Sequence, residues 1–163
     1  MTVTDVHKDP IALTMTVASE WEAPIARVWL LWADPRKLER WWGPPTYPAT
    51  VVEHDLRAGG RVSYFMTGPE GEQYHGWWKV IAVEEPHRLD LEDGFADADG
   101  NPNYEMPTTQ STVMLAELSG GVTSMINESR FPSTDAMNQM IEMGMEEGLA
   151  AAMGQIGPLL AAS

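Results

Sequence analysis

Between residues 49 and 131 the chain repeats one pattern: a short apolar-rich run, then a turn built on glycine or proline. The runs cover residues 49–56, 61–67, 73–84, 88–92, 109–118 and 122–131. Between them stand Ala58-Gly59-Gly60, Gly68-Pro69-Glu70-Gly71, Glu85-Pro86 and Ser119-Gly120-Gly121. Strands joined by such short connections pair with their chain neighbours, so the pattern predicts a largely antiparallel sheet. The acidic stretch 93–108 is the one long break and is predicted to be a loop.

The flanking segments complete the order. Residues 11–21 partly alternate and predict a seventh strand. Pro24 then opens a helix on which Val28, Leu31 and Trp32 share one face. Asp34-Pro35 ends it and starts a second short helix over 35–40. After the last strand, Ser133 or Thr134 is placed to cap a C-terminal helix reaching about Ile156, before Gly157-Pro158. Met137, Ile141, Met145, Leu149 and Ala152 form its apolar stripe, joined by Gly144 and Gly148. A glycine inside a helix costs roughly 1 kcal/mol against alanine, so a close approach to a sheet or ligand is expected there. The stripe must be buried, and the sheet offers the only large apolar face left. The expectation is an α+β fold: a curved seven-stranded antiparallel sheet around a long C-terminal helix, with two short helices after the first strand.

Composition narrows the function. With 163 residues the chain is read as one domain, 1–163, whose residues 1–10 are expected to be a flexible N-terminus. Ten Lys and Arg stand against 24 Asp and Glu, a net charge of −14. Such a surface repels nucleic acid and anionic lipid, so neither nucleic acid nor membrane is an expected partner. There is no cysteine, and His7, His54, His75 and His87 lack zinc-ligand spacing, so no metal or other cofactor is expected. The segment 96–105 departs from a calcium loop in the places of its glycine and glutamate. No nucleotide-binding glycine motif or nucleophile elbow occurs. The N-terminus has no signal-peptide pattern, and a cytoplasmic location is expected.

Four segments carry a resemblance: APIARVWLLWADPRKLERWWGPP, VVEHDLRAGGRVSYFM, GWWKVIAVEEPHRL and GMEEGLAAAMGQI. They resemble the SRPBCC/START-like helix-grip superfamily and, within it, the family named for the activator of the heat-shock-protein-90 ATPase. The resemblance covers about residues 12–160. It implies the helix-grip fold, with a cavity between sheet and helix that related families use for lipids, hormones or aromatic polyketides. It also implies that the pair Trp41-Trp42 sits at the rim of that cavity. One of the two is assigned to the core beneath and Trp42 to the rim, with Gly43-Pro44-Pro45 fixing the chain's exit.

Strand parity supplies the interior. With Glu53, Asp55, Lys79, Glu128 and Arg130 facing water, the inward set contains Val52, His54 and Leu56, then Val62, Tyr64 and Met66. It continues with Tyr74, Gly76, Trp78 and Val80, and with Met125, Asn127 and Ser129; a bulge near Ile81 would shift the register. The candidate ligand-binding set is Trp42, His54, Tyr64, Met66, Trp78, Asn127, Met137, Ile141, Met145 and Gly148, with no catalytic residue assigned. Aromatic and thioether groups offer wide apolar contact with few polar demands. The expected function is binding of a small hydrophobic or aromatic molecule, by a monomer or homodimer. The alternatives are a cyclase- or hydrolase-like enzyme using His54, Tyr64 or Asn127 on a carbonyl, and a co-chaperone-like interaction module.

Overall fold

The computed structural model describes residues 3–162. Eight strands and five helices follow in order. They are β1 (Val3–Asp9), β2 (Thr14–Trp21), α1 (Ile25–Ala33), α2 (Pro35–Leu38), β3 (Ala49–His54), β4 (Arg61–Thr67) and β5 (Gln73–Glu84). Then come β6 (Arg88–Ala96), β7 (Thr109–Glu117), β8 (Thr123–Arg130), α3 (Thr134–Glu142), α4 (Met145–Met153) and α5 (Ile156–Ala162). All strands join one antiparallel sheet in the order β1-β2-β8-β7-β6-β5-β4-β3. From β3 to β8 the chain is a plain meander. The single long crossover runs from β2 to β3 through α1 and α2.

The sheet has eight strands where seven are expected. The extra strand is β1, which lies in the segment read as a flexible N-terminus. It pairs with β2 from Asp5↔Ala18 to Asp9↔Thr14. The hairpin turn explains the difference. The Asp9 carboxylate accepts the N–H groups of Ile11 and Ala12 at 3.0 Å each, and Leu13 takes a positive φ of 59°. Lys8 then pairs with Glu146 of α4 at 2.5 Å, tying the edge strand to the C-terminal helices.

The opposite edge, β3, carries a bulge between Val51 and Glu53. Val51 is buried and Val52 exposed, so the inward assignment of Val52 fails; beyond the bulge the alternation realigns. The helix α2 covers this edge, with Glu39 just past its end. Arg36 donates to the Val51 carbonyl and Glu39 accepts the Val51 N–H, both at 2.9 Å, satisfying groups an edge strand leaves open. A second irregularity falls between Val80 and Ala82, where Ile81 turns outward.

The C-terminal helix is not one rod. Ser133 caps α3, accepting from the Ala136 N–H at 3.1 Å. The helix then breaks at Gly144, whose φ of 88° is left-handed, and again at Gly154. Gly157-Pro158 falls inside α5 and interrupts nothing. At the second break Gln155 donates to the carbonyls of Gly43, at 2.7 Å, and Trp41, at 3.3 Å. The core gathers Met15, Val28, Trp32, Trp41, Trp78 and Met125 between sheet and helices.

The glycines at 144 and 148 therefore differ in kind. Gly144→Ala should lower stability by about 1–2 kcal/mol, because it forces a Cβ into a left-handed backbone. Gly148 lies within α4 and an added Cβ meets nothing within 4 Å. Gly148→Ala should raise stability by up to about 1 kcal/mol. Urea titration of both variants checks the opposite signs.

Candidate functional site

One cavity of about 310 Å³ lies between the inner face of the sheet and the α3–α4 segment. Its closed end is aromatic. Trp32, Trp42 and Tyr64 line it, with Trp41 and Trp78 packed behind. The rings meet mostly edge to face: Trp32–Trp41 at 4.8 Å, Trp42–Trp78 at 4.9 Å and Trp42–Tyr64 at 6.0 Å between centroids. Each such pair contributes roughly 0.5–1.5 kcal/mol beyond burial, so this end is stiff.

The adjacent tryptophans divide between core and cavity, although Trp42 stands at the aromatic end and not at the rim where it is expected. Trp41 is fully buried, and its indole N–H donates to the Leu31 carbonyl at 2.9 Å. Trp42 is half-buried and faces the cavity. Gly43 follows because the backbone folds tightly back here: a Cβ would lie 2.2 Å from the Tyr47 carbonyl oxygen. Another glycine shapes the aromatic wall. Gly76 pairs with Tyr64 across β4 and β5, and the tyrosine ring lies over it. A Cβ at 76 would come within 2.5 Å of that ring.

The helical wall is thioether-rich. Met140 and Met143 at the end of α3, and Met145, Gly148 and Leu149 of α4, face the sheet across the cavity. The break at Gly144 turns both segments toward the same space. Tyr74 and Met143 are exposed and mark the mouth. Of the loop between β6 and β7, Pro107 lines the cavity. The Asp97 carboxylate in that loop accepts the N–H groups of Asp99 and Asn101, closing a local turn. No group of three or more potential metal ligands occurs among the described residues.

Polar groups enter from three strands. Thr109 and Ser111 come from β7, Asn127 and Ser129 from β8, and Asp93 from β6. Asn127 Oδ1 is buried and accepts no hydrogen bond. The Tyr64 hydroxyl is held neutral: burial pushes its pKa up, and the nearby Asp93 charge adds to that. Asp93 is enclosed by protein and opens on the cavity, and this desolvation raises its pKa from 3.8 to about 7.

Of the predicted ligand-binding residues, Trp42, Tyr64, Met66, Asn127, Met145 and Gly148 line the cavity. The other four stand away from it. His54 Nε2 lies 3.0 Å from the Trp32 carbonyl, to which its N–H donates, so the ring serves the fold. Trp78 is buried behind Trp42 and Tyr64, and Met137 is core. Ile141 packs against that core from one turn further on. Asp93 lies outside the predicted set because the sequence pattern ends the strand at Glu92, whereas β6 runs to Ala96. The signal was present: Leu89, Leu91, Asp93 and Phe95 continue one alternation through β6.

Residues 22–161 match the family model described as Activator of Hsp90 ATPase homolog 1-like protein. The chain belongs to this family. It is similar to protein Ms6760 from Mycobacterium smegmatis, with 49% identity, 99% of this chain and 98% of that one covered, and a TM-score of 0.90. It is also similar to a protein from Arthrobacter aurescens, with 46% identity, coverage of 99% and 94%, and a TM-score of 0.94. The AHSA1 protein from Silicibacter pomeroyi shares the fold at 21% identity, coverage of 91% and 98%, and a TM-score of 0.72. No curated protein matches the chain. The helix-grip reading and the family resemblance both stand.

Asp93 makes stability depend on pH. An unfolded aspartate ionises near 3.8 and the folded one near 7, so between these values the folded state keeps a proton that the unfolded state releases. Stability is therefore lost as pH rises through that window and stays lost above it. Asp93→Asn should match wild type near pH 3.5 and exceed it at pH 8, by up to about 4 kcal/mol. Urea titrations of both proteins across this range measure the difference, in which the other titrating groups cancel.

Proposed function

We propose that the protein binds a small hydrophobic or aromatic molecule between the sheet and the α3–α4 segment. The observation that carries this is the cavity itself: about 310 Å³ enclosed by tryptophan, tyrosine and methionine, with a few convergent polar groups. That size lies at the low end of small-molecule sites, which run from about 300 to 1,000 Å³. The two walls suit different parts of recognition. The interlocked rings give a fixed surface, while unbranched methionines adapt to the guest's outline. A net charge of −14 supports a small-molecule partner over nucleic acid. No helix among the described residues is long and apolar enough to cross a membrane. In this reading the protein works in the cytoplasm.

A neutral aromatic probe such as N-phenylnaphthylamine should bind and quench tryptophan fluorescence. Gly148→Leu should abolish that binding, because its side chain grows into the cavity from α4. Its thermal melt should stay cooperative. Wild-type binding retained by Gly148→Leu, or no binding by wild type, would count against the proposal.

A further inference from the structure

Asp93 is an ionisable group in the cavity that a purely apolar guest does not use. It interrupts an apolar alternation on β6, between Leu91 and Phe95. No hydrogen bond or ion pair within the described residues engages its carboxylate, and the only cause acting on its ionisation is burial. The lining contains no Lys or Arg. Glu128 also borders the cavity, but its carboxylate accepts from Arg130 at 2.9 Å on the other face of β8. The helical wall brings Met140, Met143, Met145 and Leu149, all uncharged. His75, also in the lining, packs against Phe65 at 5.4 Å between ring centroids, and the carboxylate has no counter-ion among the described residues.

Its surroundings favour a particular counter-ion. Asp93 pairs directly across the sheet with Trp78, whose ring packs 4.9 Å from Trp42 and 6.2 Å from Tyr64. Trp42 and Tyr64 stand at 84° to each other and both face the cavity, forming an aromatic corner next to the acid. Asn127, 8% exposed, adds an acceptor with no donor. A carboxylate, an unfilled amide acceptor and aromatic rings all attract a positive N–H group. Asp93 and the ring faces would repel a carboxylate guest, for which the only unpaired donors in the lining are the indole N–H groups of Trp32 and Trp42.

We propose that the guest is an organic cation: a small aromatic or alicyclic molecule whose protonated amine sits between Asp93, Asn127 and the Trp42–Tyr64 corner. This rests on the cavity being the binding site and adds which class of molecule it takes. The amine supplies the charge that the chain withholds from Asp93, and its apolar body fills the space toward the methionines. The acidic surface as a whole draws such a cation in and disfavours anionic amphiphiles.

Three naphthalene derivatives of nearly equal size test this at about pH 8: naphthylethylamine, naphthylethanol and naphthylacetate, titrated by tryptophan fluorescence and calorimetry. The amine should bind wild type at least ~10-fold more tightly than the alcohol, and the carboxylate more weakly than either. In Asp93→Asn, whose folding the urea titration checks, the amine-to-alcohol ratio should fall to about one. An amine that binds no better than the alcohol, or a preference that survives Asp93→Asn, overturns the inference while leaving the cavity's binding role intact. Failure of all three compounds to bind overturns both.

Discussion

The fold depends on Trp41. Its ring packs 4.8 Å from Trp32 of α1, its indole N–H holds the Leu31 carbonyl, and its own carbonyl accepts from Gln155 at the α4–α5 break. One residue thus joins the crossover helices, the entry to β3 and the C-terminal segment. Because Trp41 is fixed in the core, its neighbour must point elsewhere, and the elsewhere is the cavity. The paired tryptophans are a division of labour between anchoring and lining. Gly43 keeps the backbone compact enough for both, since any side chain there would strike the Tyr47 carbonyl.

Much of this was legible in the sequence, because it rests on short-range periodicity. Alternation along β4 and β8 places Tyr64, Met66 and Asn127, and a helical stripe places Met145 and Gly148. Two of the misses share a cause: each turns on a contact that periodicity cannot see. Val52 faces water because β3 bulges where Arg36 and Glu39 grip Val51. The strand β1 exists because Asp9 closes a turn and Lys8 finds Glu146, partners far apart in sequence. Asp93 was lost for the opposite reason. Its charge and the glycine after it read as loop, although the alternation ran on to Phe95. Tertiary burial overrode composition at the one position where the chain places an ionisable group beside the aromatic wall.

The C-terminal helix shows how a local break becomes a functional wall. A straight helix from Thr134 onward would present its stripe as one line. The left-handed Gly144 changes direction after Met143, so Met140 from one segment and Met145 from the next address the same space. Gly148 then leaves a gap where any larger residue would fill it. Packing to native density would favour closing that gap. The chain instead spends backbone freedom at 144 and side-chain volume at 148, and both concessions fall on the cavity side.

Asp93 belongs to the same pattern and sharpens it. A half-buried carboxylate without a partner costs the fold more than an asparagine of equal size would, which points to a use outside the folded chain. Its place beside the Trp42–Tyr64 corner sets the acid against interlocked aromatic rings. In the proposed reading a cation arriving from solvent supplies the counter-charge that the chain withholds. The cavity's shape selects for apolar bulk, but the unpartnered charge in its lining is an acid. That charge separates an amine-bearing guest from the fatty-acid-like molecules that shape alone would admit.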